Sequence, residues 1–256
     1  MTTSETTTAA PSWVLLVGAS SGIGRPLARE FAAHGHHLIL AGRDMDDLER
    51  SAVDLRVRYG VQAQTAFIDV LDAAKYQSFF DDCVAKAGGS LSGLILAQGS
   101  LPRQNRVQRD LTLVEQTIDT NFTSFAALLT LGANELEKHH RGFICVISSV
   151  AGDRGRPSNY VYAAAKAGTT AFLQGLRARM HKVGVSVLTV KPGYVDTAMI
   201  WGKPGVFLVA SPRRVSREIY GAVAAGKSEI YTPGFWRYIM FIVKSIPEAI
   251  FKRVKS

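Results

Sequence analysis

The chain has 256 residues, of which 47% are hydrophobic and 20% charged, with nine Pro and two Cys. That composition suffices for one large domain with a substantial core, and it excludes a disordered chain or a small disulfide-stapled scaffold. Thirty Lys and Arg against 21 Asp and Glu leave a net charge of +9, which suits nucleic acid, an anionic membrane or a phosphorylated ligand.

Residues 1–11 have neither the basic start nor the apolar stretch of a signal peptide, and they read as a flexible tail. From Ser12 onward, short apolar runs alternate with longer amphipathic ones. Six runs read as buried strands: 13–18, 37–42, 63–69, 91–97, 142–148 and 185–192. Helical stretches begin near Ile23, Met45, Ala73, Leu113, Asn159 and Pro212. Continuous apolar strands separated by helices predict a parallel sheet covered on both faces, the doubly wound α/β (Rossmann-type) class, as a single domain over 12–232. Residues 233–256 fall outside that rhythm. Cys83 and Cys145 are far apart, with no CxxC and no Cys/His cluster, so both read as reduced core residues and no zinc site is expected. No apolar run approaches the length of a membrane span. These features place the chain in a reducing, cytoplasmic compartment.

Directly after the first strand comes GASSGIG, with Gly18, Gly22 and Gly24 opening a helix. Such a turn lets backbone N–H groups approach a pyrophosphate at the positive end of the helix, which predicts a dinucleotide site. An acid commonly ends the second strand of an NAD site. Here Gly42 is followed by Arg43, with Arg25 nearby, and guanidinium forks suit a phosphate monoester. NADP(H) is therefore expected over NAD(H). Asp69, closing the third strand, has two open readings: acceptor for the adenine amino group, or helix cap.

In NYVYAAAKAG (159–168), Tyr162 and Lys166 stand four apart and share a helix face, whereas Tyr160 points elsewhere. An ammonium beside a phenol is expected to lower the phenol's pKa and make an acid/base for an alcohol or ketone oxygen. Ser149 ends the fifth strand, where ligands of such sheets bind, and can hydrogen-bond the reacting oxygen. Ser148 should face the other way.

With these pieces in place, residues 12–232 are identified as resembling the short-chain dehydrogenase/reductase family. The matching motifs are GASSGIG, Asn121 in NFTS, Ser149, Tyr162-xxx-Lys166 and PGYVDT (192–197). The resemblance implies Tyr162 as proton donor and Lys166 as ribose holder and tuner of Tyr162. It makes Ser149 the binder of the substrate oxygen and Asn121 the anchor of a water in a proton relay. Thr197 would touch the nicotinamide end. Further cofactor contacts are implied for Ser20, Ser21, Ile23, Asp69, Val70, Ala97, Gly99, Pro192, Gly193 and Val195, and a homodimer or homotetramer is implied as the assembly. Two departures stand out: Val17 replaces a customary Thr, and Ala97-Gln98-Gly99 replaces a customary Asn-Ala-Gly. Altered adenine-side packing with retained activity is expected.

The segment 199–210, MIWGKPGVFLVA, reads as an oily lid. Arg154 and Arg156 lie in a loop before Tyr162, either solvated or clamping a substrate phosphate. Residues 231–256 mix aromatic and aliphatic side chains with Arg237, Lys244, Lys252, Arg253 and Lys255, and Pro247 should split them into two helical pieces. Such a segment suits an anionic membrane surface, or packing on the domain or a second subunit. The tail, the Arg154 loop and Ala97-Gln98-Gly99 together resemble a narrower group, the decaprenylphosphoryl-2-keto-ribose reductases. That likeness implies reduction of a sugar 2-keto group on a polyprenyl phosphate, with a flavin oxidase partner and a peripheral place at the inner face of the cell membrane. Nucleic acid becomes the least favoured partner, since the arginines sit where phosphates of a small ligand are expected.

Overall fold

A computed structural model describes residues 12–253 except Pro204; the predicted tail at 1–11 and Lys255 lie outside the described residues. In chain order come β1 (Trp13–Val17), α1 (Gly24–Ala33), β2 (His37–Gly42), α2 (Met45–Tyr59), β3 (Ala63–Phe67), α3 (Tyr76–Lys86) and β4 (Gly93–Leu96). There follow α4 (Gln104–Val107), α5 (Leu111–Ile118), α6 (Ser124–His139), β5 (Phe143–Ile147), α7 (Tyr160–His181) and β6 (Ser186–Pro192). The chain continues with α8 (Pro212–Ala224), β7 (Glu229–Thr232), α9 (Trp236–Ser245) and α10 (Glu248–Phe251).

All seven strands pair in parallel in the order β3-β2-β1-β4-β5-β6-β7. The doubly wound sheet predicted from the apolar runs is thus the observed one. Side-chain alternation along β1 explains the two cores. Leu15 and Val17 point toward α3, α6 and α7, where they meet Phe79, Phe125 and Leu173. Val14 and Leu16 point toward α1, α2 and α8, where they meet Phe31, Leu48 and Val215. Strand order reverses between β2-β1 and β4, which leaves a crevice beyond their carboxyl ends.

β7 was not among the six strands expected. Its four residues, EIYT, form a short edge strand too brief to register as an apolar run. Pro247 does divide the C-terminal segment, ending α9 and preceding α10. One face of α9 packs on the domain: Trp236 and Met240 are buried against Val150, with Tyr194 and Tyr231 beside them. Its other face leaves Tyr238 and Phe241 each 72% exposed. No helix among the described residues is long and apolar enough to cross a membrane.

Candidate active site

The crevice is a cleft in two lobes of about 590 and 520 Å³. They share the walls Ser21 and Gln98–Pro102. The glycine-rich turn forms one edge. Gly18 sits at φ +81°, and a Cβ there would lie 2.4 Å from the Gln98 nitrogen, so only glycine lets β1 turn so close to β4. Ser21 braces the turn, accepting from the Gly24 N–H at 2.9 Å and donating to the Ala97 carbonyl at 3.2 Å. Gly22 touches Thr197, whose methyl group would be 2.4 Å from an added Cβ. The turn and the PGYVDT segment therefore close on each other across the second lobe.

Ser20, Arg43, Asp69 and Val70 line the first lobe. Arg43 is exposed and, among the described residues, pairs with no carboxylate. Arg25 behaves differently. It is locked bidentately to Asp47 of α2, at 3.0 and 2.7 Å, so the expected second cation of the phosphate site is already neutralised. Of the two readings of Asp69, its carboxylate accepts from the Leu71 N–H at 3.1 Å, a local turn contact.

Ile23, Ala97, Gly99, Pro192, Gly193, Val195, Thr197, Ser149, Tyr162 and Lys166 all border the second lobe. β5 delivers Ser149, whose Oγ accepts from the Ala151 N–H at 3.1 Å and caps the short 3-10 turn Val150–Asp153. Ser148, expected to face away, also borders this lobe, and its hydroxyl pairs with Thr170 of α7 at 2.9 Å. The start of α7 delivers Tyr162 and Lys166. Both are buried, whereas Tyr160 is 45% exposed. Lys166 Nζ donates to the Ile147 carbonyl at 2.9 Å and lies 4.4 Å from the centre of the Phe125 ring and 5.9 Å from that of Tyr162.

Burial decides the protonation of this pair. It pushes the Tyr162 phenol up to about 12, with the hydrogen bond to Ser149 pulling weakly the other way. This corrects the expectation of a lowered phenol. Lys166 is itself driven down to about 7 by the same desolvation, and it spends its N–H on a carbonyl. At neutral pH the phenol keeps its proton and is an acid.

Asn121 lies in a π-helical turn, Asp119–Thr123, between α5 and α6, an irregularity common at functional sites. Its amide donates to the Thr117 carbonyl at 2.8 Å and the Ser100 carbonyl at 2.9 Å, and accepts from the Ser100 N–H at 3.3 Å. Its own carbonyl receives the Thr169 hydroxyl of α7 at 2.8 Å. Asn121 thus ties the β4 exit to the helix carrying Tyr162.

Arg154 and Arg156 do not line either lobe. Arg154 Nη1 donates to the Val243 carbonyl at 3.0 Å and also to the Ile246 carbonyl, and Nη2 pairs with Glu248 at 2.9 Å. Its guanidinium stacks 3.8 Å above the Phe251 ring. It serves as the clamp of the C-terminal helices, which takes it out of the phosphate role. Arg156 turns toward the Met240 sulfur, 3.9 Å away. Next to Arg154, Asp153 is almost fully buried and paired with Lys191 of β6 at 2.9 Å, and it accepts from the Tyr231 hydroxyl at 2.7 Å.

Residues 12–204 match the family model described as short chain dehydrogenase. The chain belongs to the short-chain dehydrogenase family. It is accordingly an NAD(P)-dependent oxidoreductase. An uncharacterized oxidoreductase of Mycobacterium tuberculosis is 33% identical over 98% of this chain and 99% of its own length. Among solved structures, a short-chain dehydrogenase from Sphingobium yanoikuyae in complex with NADPH is 25% identical, with a TM-score of 0.75 over 93% of this chain and 97% of that one. A variant of actinorhodin polyketide ketoreductase with NADPH superposes at a TM-score of 0.78 over 88% and 97% of the two chains, at 21% identity, and shows the shared fold.

Two features of the cleft take on roles that the sequence did not assign to them. Gln98 is buried with both ends of its amide lacking a hydrogen-bond partner. Arg103 and Lys203 both line the second lobe. A lone Gln and two surface cations have no spacing signal, so only the folded cleft picks them out.

Proposed function

We propose that the protein reduces a carbonyl with NADPH, and that its substrate is the 2-keto group of a sugar carried on a polyprenyl phosphate. The observation that carries the catalytic part is the convergence of Ser149, Tyr162 and Lys166 on one lobe of a cleft whose other lobe presents Arg43. The residues suit NADP(H). Gly18, Gly22 and Gly24 allow the tight turn at a helix start where a pyrophosphate would lie, Arg43 is free for a 2′-phosphate, and the orphan amide of Gln98 offers a donor and an acceptor between the lobes. NADPH, when bound, supplies the hydride.

Tyr162 holds the proton that the new alkoxide needs. Ser149 orients the carbonyl oxygen toward it. Once the phenol has given up its proton, the Lys166 ammonium fraction present near pH 7 stabilises the phenolate from below the ring, while Asn121 fixes the helix start on which both stand.

The narrower substrate rests on the resemblance carried by the tail, the Arg154 loop and Ala97-Gln98-Gly99. It is supported by the apolar segment over the second lobe, where Trp201 is 68% exposed, and by the outer face of α9 with its flanking Arg237 and Lys244. These surfaces fit work at the edge of an anionic membrane, next to a flavin oxidase that forms the ketone. The test is NADPH oxidation against a polyprenyl-phosphate 2-keto-pentose, simple ketones and 3-keto-acyl thioesters. Preferred turnover of the first, lost in Tyr162→Phe with NADPH affinity intact, is expected. Faster turnover of simple ketones refutes the substrate, and an active Tyr162→Phe refutes the mechanism.

A further inference from the structure

Among the described residues, the second lobe is walled by Arg103, Lys166 and Lys203 and by no carboxylate. Arg103 and Lys203, with the partly protonated Lys166 below them, repel one another, and a fold keeps such an arrangement where an anion will complete it. Lys166 is 2% exposed, at the floor with Tyr162, and hydrogen-bonded to Ile147. The other two lie farther out, Lys203 half-buried and Arg103 exposed.

They come from segments that face each other across the lobe. Arg103 precedes α4 on the stretch leaving β4. Lys203 belongs to the loop 196–209, whose base is closed by the Val195–Ala210 bridge and by the Asp196 N–H donating to the Ala210 carbonyl at 3.0 Å. Lys203 spans the gap, donating to the Leu101 carbonyl at 3.0 Å. An ammonium has three donors, so this bond leaves two for a ligand. Among the described residues neither Arg103 nor Lys203 forms an ion pair, whereas Arg25 and Arg154 do. Burial and the Arg103 charge both depress the Lys203 ammonium, in keeping with two cations held close.

We propose that Arg103 and Lys203 form the subsite for an anionic phosphate ester on the substrate, in place of the Arg154 loop, while the keto group rests against Ser149 and Tyr162. Arg103 supplies a planar fork and Lys203 a compact point charge, a pairing suited to phosphate oxygens. Met199 and Trp201, 38% and 68% exposed on the same loop, extend an apolar wall past the phosphate for a hydrocarbon chain. The inference rests on reading the second lobe as the substrate end and adds the residues that recognise the substrate's charge.

The experiment titrates farnesyl phosphate, ethyl phosphate and farnesol into the full-length protein saturated with NADPH. Wild type is compared with Arg103→Gln, Lys203→Gln and the double variant, and Arg156→Gln serves as control. Arg103 is exposed and Lys203 half-buried with one hydrogen bond to Leu101, so melting temperatures within a few degrees of wild type are expected and are measured alongside. Wild type should bind farnesyl phosphate about tenfold or more tightly than farnesol, the double variant should lose that difference, and the control should keep it. Ethyl phosphate binding as well as farnesyl phosphate keeps the subsite and removes the lipid chain from the substrate. A wild type without phosphate preference, or a double variant that retains it, overturns the proposal. So does a double variant with weakened NADPH affinity, which assigns the two cations to the cofactor's pyrophosphate. A phosphate preference that depends on both cations, with no turnover of the keto-sugar, leaves the subsite standing and discards the sugar.

Discussion

Replacing Lys166 by Met should stabilise the protein at pH 7 while removing its activity. Folding drives the Lys166 pKa from 10.5 to about 7, chiefly by desolvation. Between these values the unfolded chain holds the proton and the folded one releases it, so stability rises with pH across the window from 7 to 10.5. At pH 7 this amounts to about 4 kcal/mol of destabilisation at roughly 1.4 kcal/mol per pH unit. Methionine fills similar volume without a charge. It forfeits the hydrogen bond to Ile147 and leaves that carbonyl unpaired, which costs about 1–2 kcal/mol. The net gain is about 2–3 kcal/mol, or roughly 4–12 °C in melting temperature for a chain of this size. At pH 10 the charge penalty has shrunk below about 1 kcal/mol and the gain should vanish or reverse. Thermal unfolding of both proteins at pH 7, 8.5 and 10, without added cofactor, measures this. A variant no more stable than wild type at pH 7, or a gain independent of pH, refutes desolvation as the dominant force on Lys166.

Arg43→Ala should weaken NADPH binding about tenfold or more and leave NADH nearly unchanged, measured by fluorescence titration; equal losses for both remove Arg43 from the 2′-phosphate. Gln98→Leu should raise the melting temperature of the ligand-free protein, because a buried amide with no partner costs about 1–3 kcal/mol, while NADPH affinity falls several-fold. Unchanged affinity would show that the amide meets no cofactor atom. Arg154→Ala removes hydrogen bonds to three carbonyls, the ion pair with Glu248 and the stacking on Phe251, about 2–4 kcal/mol in all. Hydrogen exchange in α9 and α10 should accelerate at least tenfold, with exchange in β1 and β4 unaltered, and unchanged exchange in α9 would remove Arg154 as their clamp.

The sheet was legible because β1, β2 and β4–β6 are buried on both faces and so read as unbroken apolar runs. β7 is a half-exposed edge of four residues and carries no such signature. The π-helical turn at Asn121 was equally hidden, since a one-residue change of helical register leaves the amphipathic pattern on either side intact. At the site, the four-residue spacing of Tyr162 and Lys166 reported their shared helix face directly. The sign of the Tyr162 shift could not be read the same way. Spacing suggests an ammonium's attraction and omits the desolvation that comes with burial beside Ala151, Ala163 and Leu101, which arises only on folding and sets the direction of the shift.

The arginines make the same point about charge. By sequence alone Arg25 and Arg43 were expected at the cofactor phosphate and Arg154 and Arg156 at a substrate phosphate, while Arg103 carried no signal. In the fold, Asp47 occupies Arg25 and the C-terminal carbonyls occupy Arg154, so these two stabilise structure, while Arg43 and Arg103 keep their donors for a ligand. The Arg154 clamp also holds the C-terminal helices beside the turn that follows Ser149. The turn Val150–Asp153 that follows Ser149 is held from one side by Trp236 and Met240 of α9 and from the other by Lys191 and Tyr231 on Asp153. The C-terminal segment thus packs behind the turn that follows Ser149, and none of its described residues lines the cleft itself.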